Sequence, residues 1–151
     1  MFDSSKYMSI ALLEAEHAFE VGEVPVGAVI VYNGNIISKQ HNLTKSLSDP
    51  TAHAEILALR DAGLILSNDK LVDCDIYVTL EPCPMCAHAI SLARIRRLYF
   101  GAYDTKGGGV ENGARVFHSS SCHHEVEYYG GIMEDNSEDI LKRFFKAVRC
   151  S

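Results

Sequence analysis

The sequence has no run of about 18 apolar residues, the length that a transmembrane helix requires. Acidic and polar side chains interrupt the first 20 residues, so this segment does not resemble a signal peptide. Internal repeats, low-complexity stretches and long linkers are also missing. We therefore predict one domain over residues 1–151, located in the cytoplasm and without membrane association.

Basic residues are scarce as well. The chain has 14 Lys and Arg against 20 Asp and Glu, a formal net charge of −6. This balance argues against loose, charge-driven binding of nucleic acid, so any such contact requires a local basic patch. An odd number of cysteines in a chain long enough to fold without disulfides indicates a reducing compartment, with thiols free for metal binding. The five are Cys74, Cys83, Cys86, Cys122 and Cys150.

The first half of the chain gives clear local signals. Apolar residues at helical spacing predict an amphipathic helix over the first 20 or so residues. Asn33-Gly34 between two apolar runs predicts a hairpin that joins strands at about 25–32 and 36–41. Asp49 as N-cap and Pro50 at the first helical position predict a second helix, with Gly63 at its end.

The remaining pattern completes the fold prediction. The segment "DCDIYVTL" is typical of a buried strand, and a helix follows whose first turn carries two cysteines. Two further strands and a closing helix give the order α-β-β-α-β-α-β-β-α. Helices alternating with apolar strands predict an α/β fold, a three-layer α/β/α sandwich with a central mixed five-stranded sheet.

Two short segments carry metal-binding residue types. "TAHAE" supplies His53 and Glu55, and "LEPCPMC" supplies Cys83 and Cys86. Each segment opens a predicted helix, where backbone N–H groups favour the thiolate form of cysteine. One His and two Cys leave a fourth tetrahedral position open, which is typical of catalytic zinc. Glu55 lies about 200° round the helix from His53, so it fits a proton carrier better than a ligand.

A structural zinc site remains an alternative. Such a site is closed by a fourth protein ligand. The chain offers several candidates for that ligand, namely Cys74, His88, Cys122, His123 and His124.

The motifs resemble those of the bacterial tRNA-specific adenosine deaminases, which belong to the cytidine deaminase-like zinc deaminases. The similarity covers residues 7–149 and is carried by "GEVPVGAVIV", "DPTAHAEILALR", "IYVTLEPCPMCAHAI" and "RIRRLYFGAYDTKGG". It implies hydrolytic deamination of adenosine to inosine at the wobble position, position 34, of a tRNA anticodon stem-loop. It further implies a homodimer with one Zn²⁺ per subunit.

The resemblance also assigns roles to residues. His53, Cys83 and Cys86 are then the zinc ligands, and Glu55 is the catalytic proton shuttle. Asn42 matches an asparagine that contacts the flipped nucleoside, although it also suits the turn that ends the second strand. The backbone N–H of Ala54 would face the base.

Binding of RNA requires further contacts. Phe144 and Phe145 lie within a basic stripe on the closing helix, and one of them would stack on a base. A solvated helix face with core phenylalanines explains the same pattern. Asp104 and Lys106 are expected to border the pocket from the glycine-rich loop. The basic residues of the stripe are Lys142, Arg143, Lys146 and Arg149.

Two other functions fit part of the sequence. Pro84 gives "PCPMC", a spelling that also occurs in guanine deaminases, so a free-base or nucleoside deaminase is the second hypothesis. The third is a non-catalytic, zinc-stabilised RNA-binding module. Glu55 argues against the third, because a structural site has no use for a proton shuttle. The segment 110–124 differs from many relatives, and we assign it no substrate contacts.

Overall fold

The computed structural model describes residues 4–149, so Cys150 lies outside the described residues. Within that range the order of helices and strands is the predicted one. The elements are α1 (Ser4–Glu20), β1 (Gly27–Tyr32), β2 (Asn35–His41), α2 (Ala54–Leu66), β3 (Cys74–Leu80), α3 (Pro84–Leu92), β4 (Arg97–Ala102), a short 3₁₀ turn (Val116–His118), β5 (Glu127–Tyr129) and α4 (Glu134–Arg149).

The strands form one mixed sheet in the order β2-β1-β3-β4-β5. β1 is antiparallel to both β2 and β3, whereas β3, β4 and β5 are parallel. The hairpin between β1 and β2 turns at Asn33 and Gly34, which have φ angles of 50° and 76°. Asn and Gly are the residues that adopt such angles most readily.

Two buried hydrophobic clusters lie between the sheet and the helices, one on each face. On one face, strand residues such as Ile30, Ile76 and Leu98 pack with the small residues of α2 and α3. On the other face, Met8 and Ala11 of α1 lie against the second set of strand side chains, among them a stacked Tyr77–Tyr99 pair with centroids 4.5 Å apart. The three-layer α/β/α prediction is confirmed. Within residues 4–149, no helix combines the length and apolar character needed to cross a bilayer.

Two predicted boundaries of α2 were wrong. Asp49 is not the N-cap. Its Oδ1 instead accepts bonds from the Thr51 N–H (2.9 Å) and hydroxyl (2.7 Å), which closes a separate turn before the helix. α2 begins at Ala54 with His53 as N-cap. The helix also continues past Gly63 to Leu66. It ends at Ser67, which adopts the left-handed conformation (φ 51°).

Candidate active site

His53 and Cys83 occupy equivalent positions at two helix starts. His53 is the N-cap of α2 and Cys83 is the N-cap of α3, and both have extended backbones. Pro84 follows as the first residue of α3, a position where its missing N–H leaves no bond unmade. Cys86 lies in the first turn of that helix and is fully buried. The two helix starts therefore bring one imidazole and two thiols together.

The donor atoms have the spacing that zinc requires. His53 Nδ1 lies 3.6 Å from Cys83 Sγ and 3.4 Å from Cys86 Sγ. Tetrahedral zinc with ordinary Zn–N and Zn–S bonds separates such atoms by about 3.6 Å. All three donor atoms lie within 4.8 Å of one another, so the group fits one metal ion.

The pKa values of the two thiols are shifted in opposite directions, which favours the thiolate form of Cys83. Hydrogen bonds from Cys86 and from His53 lower the pKa of Cys83 to about 4. The same Cys83 hydrogen bond, together with burial, raises the pKa of Cys86. The bond to Cys83 also raises the pKa of His53. In the metal-free chain the pair therefore shares one negative charge, and metal binding must release the second thiol proton.

Three of the residues predicted as possible fourth ligands, Cys74, Cys122 and His124, have other surroundings. Cys74 is buried at the start of β3. Cys122 Sγ is 3.1 Å from Ser91 Oγ, and His124 Nε2 is 2.8 Å from the Ile95 carbonyl. Among the residues that the structure describes, the metal-binding group at this position contains only His53, Cys83 and Cys86.

Glu55 lies beside the donor group at the start of α2. Its side chain is 4% exposed, and this burial raises the pKa of the carboxyl group to about 7. A carboxyl group whose pKa is close to neutrality can both accept and donate a proton under cellular conditions.

His53, Cys83 and Glu55 line a cavity of about 250 Å³, and Cys86 lies buried behind it. The cavity brings together the predicted residues Asn42, His53, Ala54, Glu55, Cys83 and Asp104. Its apolar walls are Val24, Val26 and Leu80, which sequence reasoning did not single out although two of them lie in the quoted "GEVPVGAVIV" segment. Asn42 is 7% exposed, and its Oδ1 has no hydrogen-bond partner among the described residues. A buried carbonyl oxygen of this kind is available to accept a hydrogen bond from a molecule in the cavity.

Two buried glutamates hold the loops on either side of the cavity. Glu23 accepts bonds from the backbone N–H groups of Lys45 (3.1 Å) and Ser46 (2.6 Å). Glu81 accepts from Asp104 N (3.0 Å) and Asn112 N (2.9 Å), among other donors. Burial alone would raise the pKa of each carboxyl group, but these hydrogen bonds outweigh it and lower both.

Sequence reasoning missed both loop anchors. Glu81 precedes the Pro-Cys pair directly, and that position was the available signal. The glycine-rich loop packs so closely on α3 that a Cβ at Gly109 would collide with the backbone of Cys83 and Pro84. Asp104 Oδ1 accepts the N–H of Lys106 (3.2 Å), which orders the same loop. Lys106 itself is exposed and is not among the cavity-lining residues.

The predicted residues of α4 divide into two groups. Phe144 is 6% exposed and packs edge-on against Phe19, whereas Phe145 is 47% exposed. Arg143 pairs with Asp139 at 2.9 Å and with Glu16 of α1 at 3.0 Å. All four basic residues of the stripe, Lys142, Arg143, Lys146 and Arg149, are exposed.

Comparison with known proteins identifies the family. Residues 1–102 match the cytidine and deoxycytidylate deaminase zinc-binding region. The chain is 50% identical over 149 residues to the tRNA-specific adenosine deaminase of Agrobacterium fabrum, covering 99% of this chain and 98% of that protein. The chain belongs to the tRNA-specific adenosine deaminases. It is accordingly a zinc-dependent hydrolytic deaminase.

Solved structures agree with the family assignment. A structure from a study of A-to-I editing by tRNA:A34 deaminases at the wobble position of transfer RNA has 52% identity and a TM-score of 0.89, covering 91% of this chain and 99% of that one. The guanine deaminase of Bacillus subtilis is more distant, with 28% identity and a TM-score of 0.66 over 99% of this chain and 96% of that one.

Proposed function

We propose that the protein converts adenosine to inosine at the wobble position, position 34, of a tRNA anticodon. One observation carries the proposal. Two members of the His/Cys/Cys donor group, His53 and Cys83, line a single cavity together with Glu55 and Asn42, whose Oδ1 has no partner among the described residues. The cavity thus combines a metal site, a proton carrier and a group that awaits a polar ligand.

The reaction consumes one water and releases ammonia as the C6 amino group of adenine is replaced by oxygen. When bound, zinc supplies Lewis-acid activation of the attacking water. Glu55 accepts a proton from that water, delivers one to N1 of the ring and protonates the departing amino group. His53, Cys83 and Cys86 hold the metal at the helix starts.

The remaining cavity residues position the nucleoside. Val24, Val26 and Leu80 give the base apolar surfaces, and Asn42 supplies an amide to its polar edge or ribose. Ala54 is the first residue of α2, so its N–H is one of the backbone donors that a helix leaves unpaired. A stacked base must be splayed out to reach this cavity, and the bases of an anticodon loop are extruded at low energetic cost.

The closing helix supports an RNA substrate. Phe145 offers an exposed ring beside Lys142 and Lys146, the combination that binds unpaired bases and phosphates. Arg143 pairs with Glu16 and Asp139, and Lys142 pairs with Glu138 at 3.9 Å. These are exposed ion pairs of low energy, so phosphate groups can compete for both basic side chains.

The two other functions are less well supported. The relatives with about half of their residues identical are named for tRNA, whereas the guanine deaminase of Bacillus subtilis shares 28%. A non-catalytic RNA-binding module does not explain why Glu55 is buried beside the metal donors, since burial of an unneeded carboxyl group destabilises a fold.

A substrate panel tests the proposed function. The zinc-loaded protein should form inosine in a tRNA, or in an anticodon stem-loop, that carries adenosine at position 34. Ammonia release from guanine, cytosine and free adenosine should be far slower, because these molecules offer no phosphates to bind. Rapid turnover of guanine with no inosine in any such tRNA would replace this proposal with the guanine deaminase hypothesis.

The adjacent phenylalanines of α4 form a matched pair of variants. Phe144→Ala should lower the free energy of unfolding by about 3–5 kcal/mol, since it empties a buried site. Phe145→Ala should leave stability nearly unchanged and weaken tRNA binding by about 1–3 kcal/mol, the value of one base stack. Denaturant unfolding and fluorescence anisotropy measure the two effects. Unchanged tRNA affinity in Phe145→Ala would show that RNA does not contact this ring.

We also propose that the protein is a homodimer through α2 and α3. These helices line an open groove of about 970 Å³ whose surface includes Ile56, Leu59, Leu64 and Leu92. Leu64 is 79% exposed and Leu92 is 61% exposed. Adjacent apolar side chains in water favour burial against a second copy.

Charge placed in the groove tests the dimer. Leu64→Asp with Leu92→Asp should raise the dimer dissociation constant by at least roughly 10-fold, because two carboxylates would be buried without partners. Leu13→Asp on α1 is the control, since Leu13 is 60% exposed and lies in another layer. Sedimentation velocity distinguishes the species. Equal dissociation constants in the two variants would show that the dimer interface does not lie in this groove.

We also propose that the protein is located in the cytoplasm, because of its substrate and its cysteine ligands. The substrate is a tRNA, and the metal donors are cysteines that must stay reduced to bind zinc. Thiol labelling of protein taken directly from cells should find Cys83 and Cys86 unoxidised, and a disulfide between them would contradict this location.

A further inference from the structure

A second group of metal-binding side chains lies on the opposite layer of the sandwich. Glu14 and His17 are three residues apart on α1, so they share one face of that helix. His41 is the last residue of β2 and pairs with Gly27 at the start of β1. The three meet where the C-terminal half of α1 crosses the end of this hairpin.

The distances within this group match a coordination site. His41 Nδ1 lies 3.1 Å from Glu14 Oε1, and His17 Nδ1 lies 3.4 Å from Glu14 Oε2. A tetrahedral zinc ion with ordinary Zn–N and Zn–O bonds separates its donor atoms by about 3.3 Å. All three donor atoms fall within 4.8 Å of one another. The two imidazoles contact different oxygens of one carboxylate group, so small side-chain rotations would place all three residues on one ion.

Two of the three side chains are largely buried and one is exposed. This arrangement would fix an ion in place and still let it exchange with solvent. The Glu14 side chain is 13% exposed and that of His41 is 20% exposed, so packing restrains both. His17 is 56% exposed and leaves a path from solvent. The two imidazole rings lie edge to face with centroids 6.2 Å apart, so both can turn a nitrogen toward the carboxylate.

We propose that Glu14, His17 and His41 form a second metal site for a divalent ion of the zinc class. Two imidazole nitrogens and a carboxylate are a donor set that zinc accepts, with the fourth position open to solvent. The ion would join α1 to the end of β2, one residue before Asn42 of the cavity. The competing explanation is a pair of histidine–carboxylate hydrogen bonds without metal.

Zinc stoichiometry separates the two explanations. Equilibrium dialysis of the full chain against excess Zn²⁺ should give two zinc ions per chain, and Glu14→Gln and His17→Ala should each give one. The affinity for the second zinc should fall by more than about 10-fold, the lower end of the loss caused by removing even a supporting residue. His118→Ala is the control, because it removes an exposed histidine outside the group and should retain two ions.

Cobalt substitution identifies which site each ion enters. The first Co²⁺ should produce thiolate-to-metal absorption from the cysteine centre, and the second should add only weak bands from nitrogen and oxygen donors. Retention of the first signal in Glu14→Gln shows that the variant is folded. One ion per wild-type chain, or a second ion of equal affinity in the control and the Glu14 and His17 variants, would overturn the proposal.

Discussion

Replacing Cys86 with alanine is expected to remove the bound zinc and abolish deamination. Cys86 is fully buried, and its Sγ is 3.4 Å from His53 Nδ1. Among the described residues, no other thiol or imidazole belongs to this donor group. Two protein ligands hold zinc far more weakly than three, and without the ion the attacking water loses its activation. Metal analysis and inosine formation measure the two losses in the same sample.

The chain supplies matched controls for this variant. Cys74→Ala removes another fully buried thiol, and Cys122→Ala removes a sequence candidate for a fourth ligand. Both should keep the catalytic zinc and full turnover, because neither side chain belongs to the metal group. Full zinc occupancy in Cys86→Ala would refute the ligand assignment. Loss of zinc in Cys122→Ala would instead favour a closed, structural site.

Glu55→Gln is expected to lower turnover by at least about 10²–10⁴-fold, the usual contribution of a proton carrier. The amide fits the same space but cannot accept a proton from water or pass one to the ring. Zinc should remain bound, because Glu55 is not one of the three donors. The free energy of unfolding should be unchanged or higher, since a buried carboxyl group is replaced by a neutral one.

Glu111→Gln makes the same chemical change at an exposed position of the neighbouring loop. It should retain wild-type turnover and zinc, so a general effect of charge near the site is separated from proton transfer. Quench-flow or steady-state inosine assays on zinc-saturated protein are sufficient. Turnover of Glu55→Gln within about 10-fold of wild type would remove this residue from the mechanism, given the magnitude expected for a proton carrier.

The metal donors could be predicted from the sequence because each lies in a short segment with its own signal. A Pro after Cys83 and a Cys three residues later mark a helix start, and local geometry then places the thiols together. The Asn33-Gly34 turn was equally local. Asp49 misled the prediction because its side chain can cap a turn as readily as a helix.

Features that join distant parts of the chain could not be predicted this way. Glu81 accepts hydrogen bonds from backbone N–H groups 23 to 31 residues away, and His41 contacts Glu14 across 27 residues. The division between Phe144 and Phe145 was also hidden, since both lie between basic residues. Only the packing of α4 on Phe19 shows which ring is buried.

The two loop anchors have a consequence for how substrates are distinguished. Glu23 and Glu81 are 1% and 2% exposed. Glu23 restrains one loop through two backbone N–H groups, and Glu81 restrains another through four. These bonds restrain the loops at the cavity opening, so we expect the RNA to distort more than the protein when a base enters. Between two tRNAs with the same anticodon letters, the one whose loop is stiffened by chemical modification would react more slowly. The flexibility of the tRNA loop would then contribute to substrate choice alongside the identity of the base.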